Sequence, residues 1–284
     1  MSSKLEDLLM NKVDTLPQFR FSPILNEAME LLDDPDANVD ALASVIAKDK
    51  QLAGQLLSTT TERAQRSVQN VHQAIRLMGL NTVKNFITAT TTADGKTSGL
   101  DPATFEIMQG RLWKHSQLVA ICCQLLAQEL AYPNLSQAYA AGLFHDLGKA
   151  ILNAFAFEEI SESIKLTQAK AVSTVTAEDH ALGFNHSYFG AKVLERWGMP
   201  PALIEPVRLH HMPLEAVLNK RLVRIVHLAD VAVNCQQTKL PIGISLFPVD
   251  KTVLAESGVT KERLTEIAVQ SADLFAKIEA KSAG

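Results

Sequence analysis

Gly142-Leu143-Phe144-His145-Asp146-Leu147-Gly148-Lys149 sets a neutral metal ligand beside an anionic one, three residues ahead of a lysine. Lys149 lies at i+4 from His145 and i+3 from Asp146. On a helix that spacing places all three on adjoining parts of one face. The stretch around them reads as a single helix from about Ser136 to Phe155, opened after the break at Pro133-Asn134. A His-Asp pair alone is weak, because it arises by chance and serves equally as a hydrogen-bonded pair at a helix end. Here it has company. His115 lies upstream, and His186, His210-His211 and Asp230 lie downstream, so that five of the eight histidines fall into one series.

Outward from that motif the pattern stays helical. Asp101-Pro102 offers a cap followed by proline for a long helix to about Leu130 that carries His115. Further helices fit 157–170, 176–182, 187–197, 201–211 and 220–236, and an amphipathic charged one fits 261–280. Toward the N-terminus, Ser22-Pro23 opens a helix whose Ile24, Leu25, Ala28, Leu31 and Leu32 make a 3.6-residue stripe. Asn38 and Asn70 are capping residues for the next segments, a helix near Leu52 to Ser58 lies between them, and Gly79 is a C-terminal stop. Asn81 starts one more helix. Residues 93–100 form the clearest loop, and 238–260, with Pro241, Gly243 and Pro248, look irregular. No strand-like alternation of useful length and no internal repeat occurs. The expected fold is therefore all-α: an N-terminal helical subdomain over 1–98, a bundle with the histidine series over 99–237, and an irregular segment plus a C-terminal helix over 238–284.

The 284 residues are 47% hydrophobic, enough for a sizeable core, and the net charge of −4 lacks the basic excess expected of a nucleic-acid binder. No apolar run reaches the roughly 18 residues of a membrane span, and the first residues lack a signal-peptide core. Cys122, Cys123 and Cys235 suit neither a disulfide framework nor a zinc ribbon and read as small buried hydrophobes. Asp33-Asp34-Pro35-Asp36 is a turn rather than a calcium loop, lacking the spacing and the glycine. The expectation is a cytoplasmic protein with no membrane and no nucleic-acid partner.

His115, His145, Asp146, His186, His210, His211 and Asp230 together make a metal-ligand set of imidazole and carboxylate without thiolate. That set suits a divalent transition metal: iron, manganese, zinc, cobalt or nickel. It is large enough for two ions sharing an aspartate, and two adjacent ions can generate a bridging hydroxide and clamp a phosphoryl oxygen. Asp146 and Lys149 are the candidate catalytic residues, the first as the shared ligand and the second as a fixed positive charge for a phosphate oxygen. Lys149 also fits a plain salt bridge, and one of His210 and His211 can face substrate or solvent instead of metal. His72, His180 and His227 read as structural or surface residues, and Trp113 and Trp197 as core packing.

Several segments occur in an order that carries a resemblance. They are Thr15-Leu16-Pro17, Ile46 to Leu52, Ala74 to Leu80, Trp113-Lys114-His115-Ser116 and Gly142 to Lys149. Asn185-His186 with Gly190, Glu195 to Pro200, and His210-His211-Met212-Pro213 complete the series. Over residues 15–235 the chain resembles the HDOD branch, the HD-related output domain of bacterial signalling proteins, within the HD superfamily of metal-dependent phosphohydrolases. Lys50 departs from that pattern by standing where the family has proline, and Ser58-Thr59-Thr60-Thr61 stands where it has asparagine-serine. No glycine-tyrosine-proline follows His210-His211, which separates the chain from the cyclic di-GMP phosphodiesterase relatives. The resemblance implies a signalling output module with an HD-type metal site, acting through partner signalling proteins. The alternative it leaves open is a metal-dependent phosphohydrolase acting on a nucleotide, cyclic nucleotide or cyclic dinucleotide phosphoester, with a nucleotide as ligand.

Overall fold

The computed structural model describes residues 2–15, 28, 31, 38–80, 82–83, 111–170, 172–239, 241–242 and 249–282. The expected helix starts at Ser22-Pro23, Asn81 and Asp101-Pro102, the loop 93–100, and Leu16-Pro17 of the first motif lie outside these residues. Every regular element among the described residues is helical. By contacts the chain divides into a small unit, Phe19–Phe105, and a large one made of Met1–Gln18 and Glu106–Gly284.

The small unit contains α2 (Val39–Ala47), α3 (Lys50–Ala64) and α4 (Val71–Met78). Leu42, Ile46, Leu56 and Ile75 are fully buried where these helices meet. The side chain of Asn38 accepts from Asp40 N at 2.7 Å and that of Asn70 from Gln73 N at 2.9 Å, satisfying helix-end donors. Gly79 ends α4 with φ +77°, a conformation that favours glycine. The threonine run 59–61 sits inside α3, where the Thr60 hydroxyl donates back to Leu56 O at 2.6 Å. α3 runs past the expected end at Ser58, to Ala64.

The large unit opens with α1 (Ser2–Thr15), continues from α5 (Arg111–Glu129) and α6 (Leu135–Phe144) to α7 (Leu147–Phe155), and adds α8 (Phe157–Lys170), α9 (Thr174–Leu182) and α10 (His186–Arg196). α11 (Pro201–Leu209), a 3-10 turn (Pro213–Glu215), α12 (Lys220–Thr238), α13 (Lys251–Ser257) and α14 (Lys261–Ser282) complete it. The expected N-terminal subdomain over 1–98 includes the residues of α1 but no helix there. α1 belongs instead to the large unit, packing on α7 and α10. Glu6 pairs with Lys192, and Asp14 binds the Arg196 guanidinium through both oxygens at 2.8 and 2.7 Å.

Two further expectations are corrected. The segment Ser136–Phe155 is not one helix. α6 ends at Phe144, Asp146 turns to φ −103°, ψ 15°, and α7 begins at Leu147. The interruption turns the His145 and Asp146 side chains into the same interior. The stretch 238–260 is not wholly irregular either, because Asp250 caps α13 by accepting from Thr252 N and Val253 N at 2.8 and 2.9 Å.

Small residues bring the backbones together. A Cβ on Gly142 would lie 2.9 Å from Ala120 Cα, so α5 and α6 touch there. A Cβ on Gly148 would lie 2.0 Å from His186 O, and Gly190 faces it across the α7–α10 contact. α12 is buried along most of its length and packs on α5, α6, α11 and α14. A helix apolar on nearly all sides is a core helix, and this one carries Asp230.

Candidate metal centre

Five elements deliver the donor groups. His115 comes from α5, His145 and Asp146 from the α6–α7 break, and His186 from the first position of α10. His210 is the C-cap of α11, His211 follows it, and Asp230 comes from the middle of α12. All seven expected residues converge. Their ligand atoms form three overlapping groups in which every atom lies within 4.8 Å of the others: His115, His145, Asp146; His145, His210, Asp230; and Asp146, His186, His210, His211.

The two oxygens of Asp146 face different neighbours. Oδ2 lies 3.4 Å from His145 Nε2 and 3.8 Å from His115 Nε2, while Oδ1 lies 3.3 Å from His186 Nε2 and 3.9 Å from His210 Nε2. Asp230 Oδ1 adds contacts of 3.1 Å to His115 Nε2 and 3.4 Å to His145 Nε2. His186 Nε2 and His211 Nε2 are 3.1 Å apart. Two ligand atoms on one ion, with bonds near 2.1 Å at angles between a right angle and the tetrahedral value, are about 3.0–3.4 Å apart. Most of these separations fall in or close to that range.

Hydrogen bonding also fits a cation. His145 Nδ1 donates to Gly142 O at 2.7 Å and His210 Nδ1 to Val207 O at 2.8 Å, which turns each Nε2 inward. His145 Nε2, His210 Nε2 and Asp146 Oδ1 are buried without a hydrogen-bond partner. Unmatched buried polar atoms are costly, and three converging on one point are explained by a bound ion. The donor set, imidazole and carboxylate with no sulfur, is that of a divalent transition metal.

The charges respond to one another. Burial pushes the Asp146 carboxyl up, but attraction to His145 and Lys149 outweighs it and holds the group well below the usual carboxylate range. Asp230 is likewise held low against burial by His115 and His145. Burial opposes a charge on His145, yet Asp146 and Asp230 raise it to about 10. Burial, with His145 and His186 nearby, lowers His210 to about 3. Without a metal, then, a proton on His145 offsets the buried carboxylates. A cation that takes the same position must displace it. Metal uptake at pH 7 is expected to release about one proton, and affinity to rise about tenfold per pH unit through the neutral range. Calorimetric titration in buffers of different ionisation enthalpy measures this, and uptake with no proton released contradicts it.

Lys149 Nζ donates to Asp146 Oδ2 at 2.8 Å, and its side chain is 22% exposed. His227 Nδ1 donates to His210 O at 2.8 Å and its Nε2 accepts from Asp250 N at 3.0 Å, so both ring nitrogens are used outside the donor set. His72 pairs with Asp40 in the small unit, and His180 is exposed on α9. Trp113 and Trp197 are half-buried.

Three residues around the centre have no place in the sequence reading. Glu178 Oε2 accepts from both His186 N (2.8 Å) and His186 Nδ1 (2.6 Å). Gln237 Oε1 lies 3.1 Å from His115 Nδ1, and Asn234 Nδ2 donates to Asp230 Oδ1 at 2.7 Å. Asn234 stands at i+4 from Asp230 and was within reach of helix spacing. Glu178 offered a weaker signal, a carboxylate at i−4 from the buried Leu182 on a short helix.

Known proteins match the chain in sequence and in fold. A 23% identical curated relative from Treponema pallidum (strain Nichols), an uncharacterised protein, aligns over 250 residues, 84% of this chain and 46% of its own length. A ribonuclease Y from Geobacter metallireducens is 29% identical over 100 residues, 35% of this chain and 14% of that enzyme. The chain thus spans less than half the length of these curated relatives. The crystal structure of an HDOD domain protein of unknown function from Geobacter sulfurreducens has the same fold. It matches with a TM-score of 0.59 and 22% identity, covering 99% of this chain and 95% of that one. The family model of the HDOD domain matches residues 17–213, well over half of the sequence and all but one of the converging donors. The chain belongs to the HDOD domain family.

Proposed function

We propose that the chain is an HDOD signalling output module whose centre holds one or two divalent transition-metal ions and which acts through partner proteins. The observation that carries this reading is the burial of the donors. His145, His186 and His210 have no exposed surface, and with His115, Asp146 and Asp230 they join α5, the α6–α7 break, α10, α11 and α12 at one point. An ion held there clamps five elements into one arrangement, so metal occupancy and the conformation offered to a partner are linked. Elemental analysis of protein made in metal-supplemented medium, with thermal unfolding before and after chelation, tests the reading. Bound metal and a higher Tm in the loaded protein are expected, without turnover of cyclic nucleotides, dinucleotides or simple phosphodiesters under iron, manganese, zinc or nickel. A loaded protein no more stable than the stripped one contradicts it.

One observation favours a second reading, metal-dependent hydrolysis of a nucleotide or cyclic nucleotide phosphoester. Lys149 reaches solvent in part while touching Asp146, the carboxylate shared by two of the three donor groups. When bound, divalent ions in such a set supply Lewis acidity toward a phosphoryl oxygen, and Lys149 would hold a positive charge beside that oxygen. The ribonuclease Y relative is named for cleavage of a phosphodiester substrate, which agrees with this chemistry. On this reading Lys149→Ala keeps its metal and loses roughly 10²–10³ in rate, the scale of one electrostatic stabiliser. Robust hydrolysis that disappears in Asp146→Ala with helical content intact would establish the enzyme and displace the first reading.

A further inference from the structure

We propose that Glu178 is a positioning residue that sets the tautomer and donor strength of His186, and so selectively controls metal affinity in the His186, His210, His211 and Asp146 group. The inference rests on the metal reading above.

Chain geometry brings Glu178 to His186. α9 ends at Gly183 with φ +82°, the chain reverses, and Asn185 caps α10 by accepting from Tyr188 N at 2.9 Å. The first residue of α10 then points its backbone N–H and its Nδ1 at the same carboxylate oxygen. Glu178 is 2% exposed and His186 fully buried. The backbone N–H can only donate, so Glu178 Oε2 acts as an acceptor at this point. The same oxygen favours the tautomer with the proton on Nδ1, which turns Nε2 toward Asp146 Oδ1 and His211 Nε2.

Three of the other histidines are backed differently. His115 has Gln237 Oε1, His145 has Gly142 O and His210 has Val207 O at Nδ1, all neutral oxygens. His186 has an anion. A carboxylate behind an imidazole raises its basicity as a ligand, and loss of such a partner typically weakens metal binding 10–100-fold. The local charges point the same way. Asp146 is the one carboxylate in the His186 group, whereas Asp230 adds a second on the His115 and His145 side. A buried anion behind His186 makes good that deficit for a divalent cation.

The test uses the full chain, stripped by chelator and titrated calorimetrically with zinc, as wild type, Glu178→Ala and Glu178→Gln. Imidazole ¹⁵N NMR of the metal-free proteins reads the tautomer of His186. In Glu178→Ala, affinity at one set is expected to fall 10–100-fold with the other nearly unchanged, and the Nδ1–H form of His186 to lose its dominance. Glu178→Gln keeps an oxygen to accept both N–H groups but removes the charge. It should restore the tautomer and recover affinity only in part, which a merely structural role does not predict. It also provides a folded variant should Glu178→Ala fail to fold. Unchanged zinc affinity and an unchanged tautomer in folded Glu178→Ala, or wild-type affinity in Glu178→Gln, overturn the inference while leaving the metal reading intact. If wild type takes up no zinc, the metal reading and the affinity claim fall together.

Discussion

Asp146→Ala is expected to abolish stable metal binding by the whole centre. Its two oxygens face the two sides of the donor array, Oδ2 toward His145 and His115 and Oδ1 toward His186 and His210. Removing it takes an anionic donor from both sides and leaves buried imidazoles facing one another across the gap. Loss of an outer hydrogen-bond partner typically weakens metal binding 10–100-fold, and loss of a shared ligand must exceed that. Asp230→Ala is the informative comparison. Asp230 contacts His115 and His145, so its removal should weaken one side and spare the other. Elemental analysis and zinc titration of both variants, with circular dichroism to check the helices, would show this. Full metal stoichiometry in Asp146→Ala sinks the assignment of Asp146 as a shared ligand.

The second large effect comes from a residue without a side chain. Gly148→Ala puts a methyl group 2.0 Å from His186 O and 2.9 Å from Gly190 N. Both obstacles are backbone, so no rotamer change relieves the clash and α7 must move away from α10. Overpacking of this kind costs about 3 kcal/mol or more, equivalent to a Tm lower by roughly 6–12 °C for a unit of this size. The shift falls on the helix that presents His186, and metal affinity should drop with stability. Gly54→Ala is the control, since a Cβ there meets nothing within 4 Å. Equal Tm values for the two variants by calorimetry contradict the packing argument.

Asp146→Ala and Gly148→Ala both fall in the Gly142–Lys149 motif, and they divide what could be read in advance from what could not. His145 and Asp146 were legible as candidate ligands because their chemistry is carried by residue type and by the company of His115, His186, His210-His211 and Asp230. The glycines of the same motif had no legible purpose, because the atoms that exclude a Cβ at Gly148 belong to residues 186 and 190. The caps Asn38 and Asn70 were legible as local chemistry, each side chain bonding a backbone N–H two or three residues on. α13 was not, because the Pro and Gly residues around it outweighed the single cap Asp250. The break between α6 and α7 left no mark in a sequence that is helical on both sides.

Residue order alone determined an all-α fold, seven donors of the right type, and the resemblance to the HDOD family. Each of these rests on interactions within a turn or two of helix, or on side-chain chemistry that travels with the residue. Tertiary structure alone decided that α1 belongs to the large unit, that Asp146 turns its two oxygens to different histidines, and that His186 rests on Glu178. The physical reason is common to all three. They depend on where backbones separated by many residues approach each other, and that is set by how close packing resolves across all the helices at once. Local pattern and spacing carry no measure of it.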